Sequence, residues 1–173
     1  MIIRTTEPGD IPAITAIYAH HVLHGTGTFE EDPPDEADIA GRIAKVQDGG
    51  AAWLTALADD GSIAGYGYYA PLRDRSAYRF TVEDSIYIRD DVRGQGVGKA
   101  LVAALLEHAT AAGRRQMVAV IGDSENTGSI GLHLSLGFRQ IGVQKAVGIK
   151  FGRWLDVVLM QRALGQGERT LPG

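Results

Sequence analysis

Hydrophobic positions recur along the chain at two periods, and the switches between them mark out its elements. Ile2 to Thr6 alternates like a short strand. Ile11, Ile14, Tyr18 and Val22 then fall at helical spacing, with Asp10 in position to cap the helix, Pro12 in its first turn and Gly25 at its end. A polar loop runs from Gly25 to Pro34. Asp35 opens a second helix, with Ile39, Ile43 and Val46 on one face and Gly49-Gly50 as its stop.

Strand character follows at Ala52 to Leu57 and at Ile63 to Tyr69, joined by the turn Asp59-Asp60-Gly61-Ser62. A loop rich in arginine and aromatics, Pro71 to Phe80, leads to a strand from Val82 to Arg89. The Gly-rich loop Asp90 to Gly98 precedes a long helix that presents Leu101, Leu105, Leu106 and Ala109 inward and ends at Gly113. Met117 to Ile121 is wholly apolar, the pattern of a strand buried on both faces. Ser124 or Asn126 opens a short helix through Leu136, which Gly137 closes. Phe138 to Val147 and Trp154 to Met160 read as two closing strands, and the segment from Gly165 to Gly173 reads as a disordered tail.

The element order is strand, two helices, three strands, helix, strand, helix, two strands. That order predicts one mixed α/β domain over residues 1–164. A chain of 173 residues suits one domain with a substantial core, and no internal repeat or linker divides it.

Composition narrows the function. The formal net charge is -4, which argues against a nucleic-acid partner, since phosphate contacts demand a basic surplus. With no cysteine there can be no disulfide, thiolate metal site or cysteine nucleophile. The N-terminus lacks the pattern of a signal peptide, and the apolar runs are too short to span a bilayer. A cytoplasmic protein is expected. His20, His21, His24 and His108 have no metal-binding spacing with nearby carboxylates, and surface or internally satisfied histidines are the better reading.

The sharpest chemical feature is Arg93-Gly94-Gln95-Gly96-Val97-Gly98-Lys99-Ala100, set between a strand and a helix. Glycines there let backbone N–H groups approach an anion, the helix N-terminus adds a positive dipole end, and Arg93 and Lys99 add charge. Two other phosphate motifs fail. The Walker A pattern needs Gly where Arg93 stands and Ser or Thr where Ala100 stands, and the dinucleotide fingerprint needs Gly where Lys99 stands.

The segment Arg93-x-x-Gly96-x-Gly98 resembles the acyl-CoA motif of the GNAT superfamily of N-acetyltransferases, and the element order matches that fold to about Leu164. Within the superfamily the chain is most similar to the phosphinothricin and methionine sulfoximine acetyltransferases. Thr81 to Ile88, Val118 to Ile121 and Lys150-Phe151-Gly152-Arg153-Trp154-Leu155-Asp156 carry that likeness. The resemblance implies a mostly antiparallel mixed sheet with helices on both faces and a splayed strand pair at the acyl-CoA site. It implies acetyl-CoA as co-substrate, with its pyrophosphate on the loop and its pantetheine arm on free backbone groups near Tyr87 and Ile88. It also implies a homodimer, with the Lys150 to Asp156 segment near a neighbouring subunit's site.

Acetyl transfer to an amine needs a base, an oxyanion donor and relief of the departing thiolate. Glu83 is the candidate base. A solvent-facing glutamate, or one paired with Arg79, is the alternative that position alone leaves open. A backbone N–H around Tyr87 or Ile88 is the candidate oxyanion donor. Many superfamily members carry Asn-x-x-Ala/Ser-x-x-x-Tyr, with Asn on the CoA arm and Tyr as the acid. Here Asn126, Ser129 and His133 occupy those positions. His133 can donate a proton near neutral pH or only orient the ligand. A small amino-acid-like acceptor would offer a carboxylate. Arg73, Arg75 and Arg79 cluster upstream of Glu83, either as solvated loop charges or as the grip on that carboxylate, and the resemblance points most to Arg73 or Arg75. Phe29 and Ser85 complete the expected substrate residues. The chemical alternatives are a peptide, protein or polyamine N-acetyltransferase, and a non-catalytic acyl-CoA module that would have no need of Glu83.

Overall fold

The computed structural model describes residues 1–172, and Gly173, the last residue of the expected tail, lies outside them. Strand β1 (Ile2–Thr5) leads to helices α1 (Ile11–His24) and α2 (Glu36–Asp48). Then come β2 (Trp53–Leu57), β3 (Ile63–Pro71), β4 (Thr81–Ile88), α3 (Val97–Ala111), β5 (Gln116–Gly122), α4 (Thr127–Ser135), β6 (Arg139–Lys150) and β7 (Arg153–Ala163). Every element expected from periodicity is present in the expected order.

The helix starts show which capping expectations hold. Asp35 accepts a hydrogen bond from Asp38 N at 2.9 Å and caps α2 as expected. Asp10 makes no such cap on α1. It closes the preceding 3-10 turn by accepting from Glu7 N at 2.9 Å, and it takes a bidentate pair from Arg4 at 2.7 and 2.8 Å. Of the two candidates for opening α4, Asn126 does so, accepting from Ser129 N.

The seven strands form one sheet in the order β1-β2-β3-β4-β5-β7-β6. All neighbours are antiparallel except β4 and β5. Each face carries its own core. Leu101, Leu105 and Ala109 of α3 pack on Val82, Met117 and Met160. On the other face Ile14 and Val22 of α1 and Ile39 of α2 pack on Trp53, Tyr66 and Tyr87. Burial of such side chains is worth about 1.5–3 kcal/mol each, so the helices are held by the sheet rather than by their own propensity.

The parallel pair decides where the site lies. Register runs from Thr81↔Gln116 to Asp84↔Ala119 and stops, although β4 continues to Ile88 and β5 to Gly122. The two strands diverge, and the second halves of both face an opening. This corrects one expectation: Met117, Val118, Ala119 and Ile121 are buried, but Val120 is 37% exposed because it faces that opening.

The last two strands run longer than their hydrophobic patterns suggested, because pairing with β5 carries β7 through Ala163. Beyond Leu164, turns occupy the expected disordered segment, and Arg115 donates to Gly167 O and Thr170 Oγ1. No helix among the described residues is long and apolar enough to cross a membrane.

Candidate active site

A cavity of about 780 Å³ fills the opening between β4 and β5. Its walls come from the end of α1 and the following loop, the second half of β4, the β4–α3 loop, β5 and α4. Of the residues singled out from sequence, Tyr87, Ile88, Arg93, Gly94, Gly96, Val97, Gly98, Lys99, Asn126, Ser129, His133 and Ser85 line it. Gln95, Glu83, Phe29, Arg73 and Arg75 do not.

The glycines of the loop serve different ends. Gly94 and Gly96 have φ of 76° and 85°, the left-handed conformation that favours glycine, and a Cβ at either would meet nothing within 4 Å. Gly96 is the N-cap of α3, so this conformation is what turns the amides of the helix start toward the cavity. Gly98 has no positive φ. A Cβ there would sit 2.7 Å from Leu132 Cδ1, so Gly98, which also lines the cavity, lets α3 pack closely against α4.

Backbone direction along β4 alternates. Arg89 N donates to Ala64 O on the β3 side, and Leu72 N donates to Thr81 O. Odd-numbered residues of β4 therefore bond to β3, and the peptide groups of Asp84, Ile86 and Ile88 point toward β5. Past Asp84 no strand answers them, which leaves Ile86 and Ile88 as the cleft-facing groups. Tyr87 is thus misplaced as a backbone contact. Its peptide belongs to β3, and its ring is buried against Tyr18 and Tyr66 at centroid distances of 4.9 and 5.3 Å. Sequence reasoning missed Ile86 because the direction of a peptide group depends on pairing parity, which apolar residue types do not report.

His21 sharpens this further. Its Nε2 donates to Ile88 O at 2.9 Å, which leaves the Ile88 N–H as the free group of that residue. Burial lowers the His21 pKa and keeps the ring neutral. His108 is also satisfied internally, with Nδ1 2.8 Å from the Tyr69 hydroxyl.

The candidate catalytic side chains stand on opposite faces of β4. Asp84 points to the α3 and α4 face, where His133 Nε2 lies 3.0 Å from its Oδ2. Glu83 points to the α1 and α2 face and is half-buried. Burial pushes its carboxyl above the ordinary range; Arg73 opposes that shift and Asp84 adds to it. Arg79, the alternative partner for Glu83, instead donates to Ser76 O and stacks on Phe80.

Arg73 is exposed and donates to Leu72 O, and its field reaches Glu83. Arg75 opens a 3-10 turn at Ser76–Tyr78. Ser85 shares the Glu83 face and lies opposite Tyr68 across the β3–β4 pair. Phe29 does not project into the cavity. Its ring fills the space left by two glycines, with Cε1 3.0 Å from where a Gly122 Cβ would be and Cδ2 2.6 Å from that of Gly148. Asn126 and Ser129 have internal duties, capping α4 and accepting from His133 Nδ1 at 2.7 Å through Ser129 O. Among the described residues no group of three or more His, Asp or Glu side chains could hold a metal ion.

Residues 14–138 match the acetyltransferase (GNAT) family. The chain belongs to that family. It is 54% identical to a phosphinothricin N-acetyltransferase of Alcaligenes faecalis over 98% of this chain and 86% of the relative. It is 43% identical to an L-methionine sulfoximine/L-methionine sulfone acetyltransferase of Pseudomonas aeruginosa over 92% of each. Among solved structures, a GNAT superfamily phosphinothricin acetyltransferase of Sinorhizobium meliloti in complex with acetyl-CoA superposes with a TM-score of 0.97 at 46% identity. That match covers 99% of this chain and 92% of the other. The GNAT architecture expected from the phosphate loop, including the splayed strand pair, is the one observed, and the chain is an acetyl-CoA-dependent acetyltransferase.

Proposed function

We propose that the protein transfers the acetyl group of acetyl-CoA to the amino group of a small amino-acid-like acceptor of the phosphinothricin, methionine sulfoximine or methionine sulfone type. The observation that carries this is the cavity at the β4–β5 divergence, with its phosphate loop at one end and Glu83 on the neighbouring face of β4. Relatives that act on those acceptors, at 54% and 43% identity, support the choice of substrate class.

The residues fit acetyl-CoA. Gly94 and Gly96 turn the start of α3 toward the pyrophosphate, with Arg93 and Lys99 beside it. The free peptide groups of Ile86 and Ile88 pair with the pantetheine arm, in place of the strand that β5 fails to supply. Acetyl-CoA provides the thioester; the protein provides position and proton transfer. Glu83, directly or through a water, takes the proton that the acceptor ammonium must lose before its nitrogen attacks. The cleft-facing N–H of Ile86, nearer Glu83 along β4, is the candidate to hold the oxyanion, and the Ile86 carbonyl and the Ile88 N–H are left for the pantetheine arm. As the C–S bond breaks, the His133–Asp84 pair on the α4 side of the cavity is the polar group that meets the developing thiolate. Arg73, whose field reaches Glu83, is the better of the two arginines for the acceptor carboxylate.

The enzyme also works as a homodimer in this reading. Val147, Ile149, Phe151 and Trp154 on the β6–β7 hairpin are 54–65% exposed, an apolar surface suited to a second copy. Dependence on acetyl-CoA, an intracellular metabolite, supports the cytoplasm as its place of work.

A thiol-release assay with acetyl-CoA tests the proposal across phosphinothricin, methionine sulfoximine, methionine sulfone, ordinary amino acids, polyamines and peptides. Preferred turnover of the first three is expected. Preferred turnover of peptides or polyamines would replace this acceptor class.

A further inference from the structure

Lys150 is 2% exposed, and its ammonium is buried without a carboxylate: among the described residues it enters no salt bridge. Its Nζ donates to two backbone carbonyls, Gly25 O at 2.8 Å and Thr28 O at 2.9 Å. Its ammonium also lies 5.1 Å from the centroid of the Phe151 ring and within the field of Glu30 and Glu31, but no carboxylate touches it, and a buried cation without a contacting anion is expensive to keep. A core position would be served better by an apolar residue, unless the two bonds matter for something else.

What they hold is the wall of the cavity. Gly25, Thr26 and Gly27 line it, and they lie between the two carbonyls that Lys150 grips. The same segment is held at further points, one of them the Thr28 hydroxyl, 2.9 Å from the Tyr18 hydroxyl of α1. Thr26 Oγ1 donates to Asp123 Oδ2 at 2.9 Å, and the Phe29 ring is wedged over Gly122 and Gly148. Lys150 itself is set rigidly. It ends β6 opposite Arg153, across a two-residue turn in which Phe151 and Gly152 have φ of 53° and 71°. The loop after α1 has no secondary structure of its own between Gly25 and Asp35. Its shape therefore comes from tertiary contacts on two sides: Tyr18 of α1 and Arg42 of α2 hold Thr28 and Glu30, and Lys150, Asp123 and the two glycines under Phe29 hold it against the β5, β6 and β7 region.

We propose that Lys150 is a positioning residue for the acceptor: it latches the Gly25–Thr28 wall of the cavity against the closing hairpin and so keeps the site shaped for the substrate. The inference rests on the acetyl-transfer reading of this cavity.

The test compares Lys150→Met, which keeps length and burial but removes both donors, with Lys150→Arg, which keeps donors. Amide hydrogen exchange is followed at residues 25–31, and KM and kcat are measured for methionine sulfone and for acetyl-CoA. Lys150→Met is expected to speed exchange in that segment by about tenfold or more. It should raise KM for methionine sulfone by about tenfold while kcat stays within about threefold. Lys150→Arg should recover much of both. Unchanged exchange and an unchanged KM in folded Lys150→Met would overturn the latch. If that variant does not fold, Lys150→Gln takes its place, since its shorter neutral amide cannot reach both carbonyls that the Lys150 Nζ holds. The same KM and exchange changes are expected there, and their absence overturns the proposal equally. A wild-type protein that acetylates no amino-acid acceptor would refute the proposed function, while the exchange data would still report on the latch.

Discussion

His133 Nε2 lies 3.0 Å from Asp84 Oδ2, a pair whose side chains are 3% and 1% exposed and which joins α4 to β4 at the cavity. His133 Nδ1 lies 2.7 Å from Ser129 O. With Asp84 as a carboxylate both partners only accept, an arrangement that calls for hydrogen on both ring nitrogens and favours the charged imidazole. Burial by itself lowers its pKa, but the hydrogen bond and charge of Asp84, with the Ser129 carbonyl, outweigh that and raise it. Both N–H groups are engaged. In the proposed reaction His133 therefore acts through its pairing with Asp84 more than by handing over a proton.

Asp84→Asn keeps the shape of this pair and removes its anion. The His133 imidazole should then titrate at a lower pH than in the wild type, as followed by NMR of its ring. Unshifted titration would mean that Asp84 does not hold the charge.

The same pair makes stability depend on pH. A histidine whose pKa is raised by folding contributes stability that is fully present below its unfolded value of about 6.5 and is lost as pH rises through the folded value. Urea unfolding should show wild-type stability falling across that window, and His133→Gln should flatten the slope. A wild-type curve that stays level there would remove the basis for the charged imidazole.

Glu83→Gln should lower turnover by about a hundredfold or more, as expected for a lost general base, while acetyl-CoA affinity stays near that of the wild type. The acid limb of the wild-type profile should lie above the ordinary glutamate range, because burial raises this carboxyl. Arg73→Ala should move that limb higher still, since Arg73 opposes the shift. Near-normal turnover of Glu83→Gln at every pH would place the base elsewhere.

Arg73→Ala should raise KM for methionine sulfone far more than KM for acetyl-CoA, and more than Arg75→Ala does. Methionine sulfone carboxamide should be a poor substrate of the wild type, and the arginine substitution should matter little to it. Equal efficiency on the acid and the amide would rule out carboxylate recognition by these arginines.

The two kinds of glycine in the phosphate loop predict different failures. Gly96→Val forces a β-branched residue to a φ of 85°, at a cost of about 1–2 kcal/mol, and should weaken acetyl-CoA binding in calorimetry by misdirecting the start of α3. Gly98→Ala should act on the packing with Leu132 and lower the melting temperature. Unchanged acetyl-CoA affinity in folded Gly96→Val would dissociate that turn from the ligand.

Much of this was legible in the sequence because it depends on local order. The 3.6-residue and two-residue periods decide which segments are helix and which are strand. The spacing of Arg93, Gly96 and Gly98 announces a phosphate loop, and Asn126 and Asp35 are caps that bond within a single turn. What only the tertiary structure decided depends on pairing and on contacts between distant segments. Whether Ile86 or Tyr87 offers its peptide to the cleft follows from which residues β3 claims. That Val120 meets solvent follows from β4 and β5 parting after Asp84↔Ala119. Phe29 finds its place against glycines that come 93 and 119 positions later in the chain, and Lys150 reaches carbonyls 122 and 125 positions before it. A residue type records what a side chain can do; the chain's return path through space selects which of those things it does.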